Sequence, residues 1–440
     1  MASMRVLIVT SGSVGDVAPY TGLGARIRDA GHDVTVASHA PFASAFAAAG
    51  LPFRPIPGDL REILQQARGH DGRSSGAGPR ALARLQRIAR PLVGTLGDGI
   101  AAAAEETSPD VMLLSTMVAP LGYQVAEARG IPWAGVFLQP VSPTGDFGSV
   151  LLGGRSIGRR GNHAVTSVAN LVSQSLYARP VQDLRRRLGL PHETIGELRT
   201  WQDGGRHPTF HGFSTAVVPR PGDWRPQLEI TGYWWPHSPP GWTPPPRLVD
   251  FLAAGPPPVF VGFGSMAPAQ GGRLAPLIQR AIRRAGVRAV VQAGWAGLDV
   301  TGDDILTIGE APHDWLFPRM AAVVHHAGAG TTAAALRAGV PAVPVPVLAD
   351  QPFWAARIHA LGAGTRPIPM SRLTPDRLAP DRPAPDRLAT ALHEATANPH
   401  RRARAQAIAA RLSTEDGPSR VLTWLETAHR TSPSARPTPP

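Results

Sequence analysis

The chain has 440 residues, a net charge of +12 and no cysteine, and all 44 of its basic residues are arginine. This length accommodates two domains that each bury a core, while the lack of cysteine excludes disulfides, zinc–thiolate sites and thiol nucleophiles. No apolar run approaches the ~18 residues of a membrane span and the chain does not open on a signal-like segment, so we expect no membrane span, no secretory signal and a cytoplasmic location.

The positive charge does not in itself indicate nucleic-acid binding. The arginines are scattered, and short runs such as residues 185–187 lack the interleaved aromatic residues of a phosphate-binding surface. An arginine-only composition with 47 glycines and 47 prolines is typical of a GC-rich coding sequence. We therefore predict no nucleic-acid partner and no stable membrane insertion, and we expect a monomer or homodimer.

Residues 1–234 alternate between apolar runs and helical spacing, which predicts one domain. The first strand is predicted from residue 5 to residue 10, and the helix after it ends at Gly31. Further strands are predicted at residues 33–38, 53–57, 110–115, 132–138, 209–213, 216–219 and 228–235, and further helices at 41–50, 80–106, 121–129 and 164–188. Such alternation predicts an α/β fold with a parallel, doubly wound sheet.

The turn after the first strand, residues 12–24, reads GSVGDVAPYTGLG. Its one acid, Asp16, falls at the carboxyl end of the strand and at the start of the helix. A carboxylate there either caps the helix, which stabilises by roughly 1 kcal/mol, or serves as a general base. The residues alone leave both interpretations open.

A segment dense in proline and glycine, residues 235–258, is predicted to link this domain to a second one at 259–413. Polyproline stiffness would restrict how the two halves hinge. The second domain again alternates, with strands predicted at 259–266, 288–294, 304–310 and 341–347 and helices at 274–286, 388–398 and 399–412. A last helix is predicted within residues 414–430, and the tail 431–440 is predicted to be disordered.

Within the second domain, the apolar residues 321–324 run through His325 and His326 into a glycine-containing turn. Adjacent side chains at a strand end point to opposite faces, so only one of the two histidines can meet a ligand while the other packs. Neither has a partner spaced for metal ligation, and no metal site is predicted.

A short helix follows this turn and ends at Gly339, so the pattern is strand, tight loop, helix. Gly328 and Gly330 let the backbone approach a ligand closely, and Thr331 and Thr332 can cap the helix. The free N–H groups and positive dipole end of such a helix favour an anion, and a phosphate or diphosphate is the natural guest.

The strand predicted at residues 341–347 leads to Asp350 and Gln351. An acceptor-only carboxylate and a donor–acceptor amide then lie side by side at the carboxyl end of a strand, where open α/β sheets bind ligands. Adjacent hydroxyl groups, such as those of a sugar, would suit this pair.

A dinucleotide site is the alternative interpretation of the same segment. Residues 328–333 fit G-x-G-x-x-A, and Asp350 follows at the distance of a ribose-binding acid, which would suit an NAD(P)-dependent oxidoreductase. Against this stand His326 before the loop, Gln351 beside the acid and two prolines in the intervening strand, none of which a dinucleotide site requires.

Residues 323–364 resemble the donor-binding signature of nucleotide-sugar glycosyltransferases of the GT-B fold, and residues 12–24 fit their GSxGDxxP first loop. The likeness is greatest to sterol glucosyltransferases and to actinobacterial, vancomycin-type antibiotic glycosyltransferases. It implies two Rossmann-like domains facing each other across a cleft. It also implies inverting, metal-independent transfer of a hexose from a UDP- or dTDP-sugar to a hydroxyl of an apolar small molecule such as a polyketide or sterol, with no cofactor. A nucleotide-sugar-binding module without catalysis is the third hypothesis.

The resemblance also implies a role for particular residues. Asp16 would be the catalytic base. The donor diphosphate would be bound by Ser265, His326, Gly328, Gly330, Thr331 and Thr332, the donor sugar by Asp350 and Gln351, and the nucleobase by Trp295 and the backbone of Ala311. For Trp295, core filling is the alternative. The glycine-, serine- and arginine-rich segments 58–80 and 140–162 would be acceptor-side loops, and the last helix would cross back onto the first domain.

Overall fold

The computed structural model describes residues 3–57, 79–194, 196–197, 207–238, 241–264, 270–294, 296–373 and 384–428. Most of the loop 58–80, the tail 431–440 and two predicted site residues, Ser265 and Trp295, therefore lie outside the described residues. None of the helices in the described ranges combines the length and the apolar character that a bilayer crossing requires.

The first sheet has seven parallel strands in the order β3-β2-β1-β4-β5-β6-β7. The strands are β1 Arg5–Val9, β2 Asp33–Ser38, β3 Phe53–Pro55, β4 Val111–Leu114, β5 Trp133–Phe137, β6 Thr209–His211 and β7 Leu228–Ile230. In β1, Val6 and Ile8 enter one buried cluster while Leu7 and Val9 enter another on the opposite face. A strand buried on both faces must be apolar throughout, which is why these strands appear in the sequence as continuous apolar runs.

The second sheet has five parallel strands in the order β10-β9-β8-β11-β12. The strands are β8 Val259–Gly262, β9 Ala289–Gln292, β10 Ile305–Ile308, β11 Ala322–His325 and β12 Ala342–Pro344. β12 is shorter than the strand predicted at 341–347 and lies at the sheet edge. Pro344 is tolerated in β12 because its missing N–H does not face β11; the next residue, Val345, donates to the carbonyl oxygen of His325.

The strand order reverses direction once in each sheet, between β1 and β4 in the first and between β8 and β11 in the second. Such switch points open a crevice at the carboxyl ends of the strands, where doubly wound proteins bind ligands. Asp16 follows β1 and the predicted diphosphate loop follows β11. Both predicted sites therefore lie at the positions that the topology favours.

Helices cover both faces of each sheet. In the first half they are α1 Val14–Val17, α2 Pro19–Asp29, α3 Ala43–Ala48, α4 Pro79–Thr107, α5 Ala119–Arg129, α6 Arg159–Gln174 and α7 Ala178–Arg187. In the second half they are α8 Pro246–Ala253, α9 Gly271–Ala285, α10 His313–Leu316, α11 Ala329–Arg337, α12 Gln351–Ala360, α13 Ala384–Ala397, α14 Pro399–Leu412 and α15 Gly417–Ala428. The single helix predicted at 164–188 is thus two helices, α6 and α7.

A buried cluster joins the two halves on one side of the cleft between them. Its members come from both halves and include Phe213, Val217, Trp224, Phe353, Trp354, Ile358 and Leu412. The ring centroids of Phe213 and Trp354 are 6.0 Å apart. Arg357 donates to the carbonyl oxygen of Val217 through Nε at 3.1 Å and Nη2 at 2.6 Å. The predicted strand at 216–219 is absent here, since these residues form a turn that packs against the second half.

The linker is held against both halves at Trp235. A β-carbon on Gly22 of α2 would collide with the carbonyl oxygen of Trp235, and the Arg337 guanidinium of α11 lies 4.4 Å from the centroid of its ring. Further along, Trp242 packs edge-on against Trp315 at 5.2 Å. The linker is therefore packed on the domains that it joins.

The last helix, α15, returns to the first half and packs on α2. Val421 and Leu425 are fully buried in the same cluster as the β1 side chains Val6 and Ile8. The Trp424 ring lies 5.9 Å from that of Phe210. The chain thus passes between the halves twice, once through the linker and once ahead of α15.

Leu425→Ala is expected to lower the free energy of unfolding by about 2–5 kcal/mol, because it removes a fully buried side chain from the first-domain core. Urea unfolding followed by tryptophan fluorescence would measure the shift. Leu171→Ala is the matched control, since Leu171 is 50% exposed on α6 and its loss should change stability by about 0.5 kcal/mol or less. Equal shifts for the two variants would contradict the packing of α15.

Candidate active site

The Asp16 carboxylate is half-buried and both of its oxygens are engaged. Oδ2 accepts from the Ser13 backbone N–H at 3.0 Å and from the Ser13 hydroxyl at 2.8 Å. Oδ1 accepts from Gln139 Nε2 at 3.0 Å. Ser13 is the N-cap residue of α1, and Asp16 reaches back to it from the third helical position. Capping therefore occupies one oxygen only. The other faces Gln139, which follows β5 at the same end of the sheet, where the strands have their carboxyl ends.

The two histidines at the end of β11 have different surroundings. His325 is fully buried, and its Nδ1 accepts from the Ala327 backbone N–H at 3.1 Å, so it shapes the loop from beneath. His326 is half-buried and lies against Gly264 and Gly328. Burial lowers the pKa of His325 to about 3 and that of His326 to about 4, so both imidazoles are neutral at neutral pH. His326 would meet a ligand as a neutral hydrogen-bonding group.

Gly328 is required by sterics. A β-carbon there would lie 2.5 Å from His326 Nε2, so any side chain would displace the imidazole. The left-handed conformation in this loop belongs instead to Ala327, whose φ is 62°. A non-glycine residue held there costs about 1–3 kcal/mol, and such strain clusters at ligand-binding loops.

Helix α11 begins directly after this loop with Gly328 as its N-cap. Thr331 and Thr332 lie in the first turn of the helix, so the expectation that they cap it is wrong. The first N–H groups of any helix have no acceptor within it, and they carry its positive dipole end. Thr331 is half-buried, whereas Thr332 is fully buried and its hydroxyl has no hydrogen-bond partner among the described residues.

Asp350 precedes α12 and follows a second strained residue, Ala349, whose φ is 56°. Its Oδ2 accepts from the indole N–H of Trp354 at 2.9 Å. Burial raises the pKa of Asp350 to about 6, and the charge of Asp16 adds to the rise, while hydrogen bonds from Trp354 and Gln139 oppose it. The carboxylate is therefore mostly ionised at neutral pH and takes up a proton as the pH falls through about 6.

Gln351, predicted beside Asp350 as a second sugar ligand, turns its carbonyl oxygen toward its own loop. Gln351 Oε1 accepts from the backbone N–H of Val347 at 2.8 Å and of Leu348 at 3.2 Å. The side chain is almost fully buried. Its amide hydrogens are thus the part that it could offer to a ligand.

The two switch points meet across the cleft. Helix α1 packs against α11, and a β-carbon on Gly330 would lie 3.6 Å from the carbonyl oxygen of Gly15. Asp16 is close enough to Asp350 to raise its pKa, and Gln139, which donates to Asp16, also influences the pKa of Asp350. A carboxylate from the first half, a helix N-terminus from the second and a second carboxylate therefore surround one point in the cleft.

The segment around Ala311, predicted to bind the nucleobase, is close to the glycine-containing loop after β11. His313, two residues after Ala311, is half-buried, and its ring stacks on that of Phe317 with the ring centroids 4.2 Å apart. Helix α10, which begins at His313, packs against α11. Ala311 is half-buried. Ser265 and Trp295, which were also predicted to contact the nucleotide sugar, lie outside the described residues.

Sequence reasoning missed two residues of this site, Gln139 and Trp354. Gln139 had a signal, because it is a polar residue directly after the apolar run 133–138, at the end of the sheet where the segment after β1 also lies. Trp354 had none, since a tryptophan one helical turn after Asp350 is equally suited to core filling. Among the described residues, no group of three or more His, Asp or Glu side chains is placed to hold a metal ion.

Two family models match this chain. Residues 6–142 match the glycosyltransferase family 28 N-terminal domain, and residues 295–427 match the C-terminal domain of erythromycin biosynthesis protein CIII-like proteins. The first match contains Asp16 and Gln139. The second match contains the glycine-containing loop after β11 and Asp350.

The relatives that match most of this chain are of two kinds, a deoxyallosyltransferase and sterol glucosyltransferases. The chain is 33% identical over 447 residues to O-mycaminosyltylonolide 6-deoxyallosyltransferase of Streptomyces fradiae, covering 96% of this chain and 98% of the relative. It is also 33% identical over 384 residues to a sterol 3-beta-glucosyltransferase of Arabidopsis thaliana, covering 84% of this chain but only 59% of that relative's length. Among solved structures, the Streptomyces glycosyltransferase SsfS6 complexed with thymidine diphosphate superposes with a TM-score of 0.63 at 22% identity, covering 96% of this chain and 99% of that one.

Proposed function

The chain belongs to the family of GT-B glycosyltransferases that contains the Streptomyces fradiae deoxyallosyltransferase and the sterol glucosyltransferases, and on that premise we propose that it glycosylates a hydroxyl group of an apolar natural product. The predicted GT-B fold and the predicted glycosyltransferase class are confirmed. Transfer from a UDP- or dTDP-sugar by an inverting, metal-independent reaction is the finer proposal. The oxidoreductase hypothesis has no support from this membership.

One observation carries the proposal: α1 of the first half, which contains Asp16, packs against α11 of the second half, with Gly15 close to Gly330 in the first turn of α11. A helix N-terminus stabilises the negative charge of a leaving diphosphate, and a carboxylate can take the proton of an attacking hydroxyl. The contact of α1 with α11 places these two functions on either side of one cleft. That separation is what a displacement with inversion needs.

In the proposed reaction the acceptor O–H transfers its proton to Asp16 as its oxygen bonds to the anomeric carbon. The bond from that carbon to the diphosphate breaks on the opposite face, and the nucleoside diphosphate leaves with the electron pair. Backbone N–H groups at Gly330 and Thr331, with neutral His326, would hold the departing charge. Asp16 can accept the proton on Oδ1, which has two acceptor sites and uses one of them for Gln139. Its contacts to Ser13, through Oδ2, and to Gln139 are then kept.

Asp350 is proposed to bind hydroxyl groups of the donor sugar. It lies at the N-terminus of α12, across the cleft from Asp16, and only one of its oxygens is bonded to Trp354. The names of the relatives include a glucosyltransferase and a deoxyallosyltransferase, and one structural neighbour was solved with thymidine diphosphate. These favour UDP-glucose and dTDP-deoxysugars as the donors to test, and sterols and macrolides as the first acceptors.

Purified protein should be assayed with UDP-glucose and a dTDP-deoxysugar against a panel of sterol and macrolide acceptors in the presence of EDTA. We expect glycoside formation with inverted anomeric configuration, detected by mass spectrometry and NMR. Activity that disappears with EDTA and returns with magnesium or manganese would overturn metal independence. Nucleotide-sugar binding without turnover on any acceptor would instead favour a binding module.

The affinity for nucleotide sugar is expected to fall as the pH drops below about 6, because Asp350 titrates there and only its ionised form is the full acceptor. The slope should approach tenfold per pH unit. UDP-glucose is the suitable probe, since its diphosphate diester does not titrate in this range. Asp350→Asn should remove the pH dependence, and a flat profile for the unmodified protein would contradict the role of Asp350.

A further inference from the structure

Gln139 occupies a fixed place at the switch point of the first sheet. It is the second residue after β5, at the same edge as the residues that follow β1 and β4. Pro140 comes next in the chain and restricts the backbone conformation of Gln139. The side chain is half-buried and points to the cleft, where it contacts Asp16.

The orientation of the Gln139 amide follows from its partners. The Thr116 hydroxyl, beyond the end of β4, donates to Gln139 Oε1 at 3.4 Å. The NH₂ group therefore faces the other way, where Nε2 donates to Asp16 Oδ1 at 3.0 Å. The ionised carboxylate can only accept, so this orientation is the one that chemistry requires.

Asp350 of the second half lies near this NH₂ group, because both Gln139 and Asp16 influence its pKa. A primary amide has two N–H bonds, so Gln139 can serve both carboxylates at once. Asp16 and Asp350 would otherwise face each other as like charges across the cleft, which opposes closure. A cation at this position would hold the carboxylates more strongly but would also make Asp16 a weaker base. A neutral donor joins them and leaves the base able to take a proton.

We propose that Gln139 is a positioning residue that holds the base Asp16 and the sugar ligand Asp350 in register across the closed cleft. The proposal rests on the proposed function, because it gives each carboxylate its role in glycosyl transfer. Gln139 acts through these two groups and does not itself touch the reacting atoms. Its loss should therefore appear both in the chemical step and in donor binding.

Gln139→Leu keeps the approximate size of the side chain and removes both donors. We expect kcat to fall roughly tenfold or more, the usual worth of a hydrogen bond to a charged group, and UDP-glucose affinity to fall with it. The fall in donor affinity at low pH (the acid limb) should begin at a higher pH. Gln139 lowers the pKa of Asp350, so its loss leaves the raising effect of the Asp16 charge less opposed. Gln139→Glu adds a third carboxylate and should lose more donor affinity than Gln139→Leu at neutral pH.

Asn170→Leu is the matched control. Asn170 Nδ2 donates to the carbonyl oxygen of Val141 at 2.9 Å, two residues beyond Gln139, so its loss disturbs the same loop without touching either carboxylate. This variant should keep the kcat and the acid limb of the unmodified protein. Defects in Asn170→Leu equal to those of Gln139→Leu would overturn the proposal, because they would trace to the loop.

The double variant Asp16→Asn with Gln139→Leu tests whether Gln139 acts through the base. Its kcat should be no lower than that of Asp16→Asn alone, since positioning a base that is no longer present has no value. Fully multiplicative losses, or an unmoved acid limb in Gln139→Leu, would overturn the proposal. Both results are distinct from failure of the proposed function, in which the unmodified protein would transfer no sugar.

Discussion

Asp16→Asn is expected to lower kcat by roughly 10² or more while donor affinity hardly changes, as befits the loss of a general base. The amide keeps the shape of the carboxylate and can still accept from Ser13, but it cannot take the acceptor proton. Steady-state kinetics with the best acceptor, together with calorimetric titration of UDP-glucose, would separate the two effects.

Ser13→Ala is the control for Asp16→Asn, because it removes the hydroxyl that donates to Asp16 Oδ2 and leaves the carboxylate in place. It should lower the free energy of unfolding by about 1 kcal/mol and reduce kcat far less than Asp16→Asn does. A fully active but less thermostable Asp16→Asn protein would mean that Asp16 is a capping residue only. The base would then have to be sought among other cleft residues, beginning with the acceptor loop at 140–162.

Asp350→Ala is expected to weaken nucleotide-sugar binding by about 10- to 100-fold, the worth of hydrogen bonds to a charged group, and to leave free UDP or dTDP binding nearly intact. The reason is spatial: the diphosphate would lie on the N-terminus of α11, whereas Asp350 lies ahead of α12. Calorimetric titration with each ligand would measure the split.

Trp354→Phe is the matched control for Asp350→Ala. It removes the indole N–H that donates to Asp350 and keeps an aromatic ring in the buried cluster between the halves. Donor affinity should fall by less than it does in Asp350→Ala. Parallel losses of nucleotide-sugar and free-nucleotide affinity in Asp350→Ala would show that Asp350 shapes the whole donor site, and would exclude a specific sugar contact.

Strands buried on both faces were the part of the fold most accessible from sequence, because burial alone makes them apolar runs. The helix predicted at 164–188 was wrong at one point, and its cause is visible in the sequence. Pro180 lacks an N–H and its ring opposes a continuing helix, but it is well suited to the first turn of a new one, α7.

The strand predicted at 216–219 failed for a reason outside its own sequence. These residues are buried, but Val217 offers its carbonyl oxygen to Arg357 of the other half in place of a neighbouring strand. The N–H groups of Val217 and Val218 both donate to the carbonyl oxygen of Ser214. Contacts over such a sequence separation leave no local pattern, so propensity and hydrophobicity could not distinguish this turn from a strand.

The candidate site was predictable where polar residues lie in the segment that follows the carboxyl end of a strand. Asp16, His326 and Asp350 all have that signal, and the structure brings their segments to one cleft. The engagement of Gln351 with its own loop was not predictable, because an amide serves backbone and ligand equally well. The roles assigned to Ser265 and Trp295 stay predictions.

The return of α15 to the first half has a consequence for exchanging parts between relatives. A hybrid enzyme that takes its second half from another parent needs two junctions, one in the linker and one between α14 and α15. Residues 417–428 must stay with the first half, because Val421 and Leu425 fill its core. A hybrid joined only at the linker would pair a foreign helix with the α2 surface, and Gly417, whose β-carbon would meet the carbonyl oxygen of Tyr233, leaves little room for a different residue there.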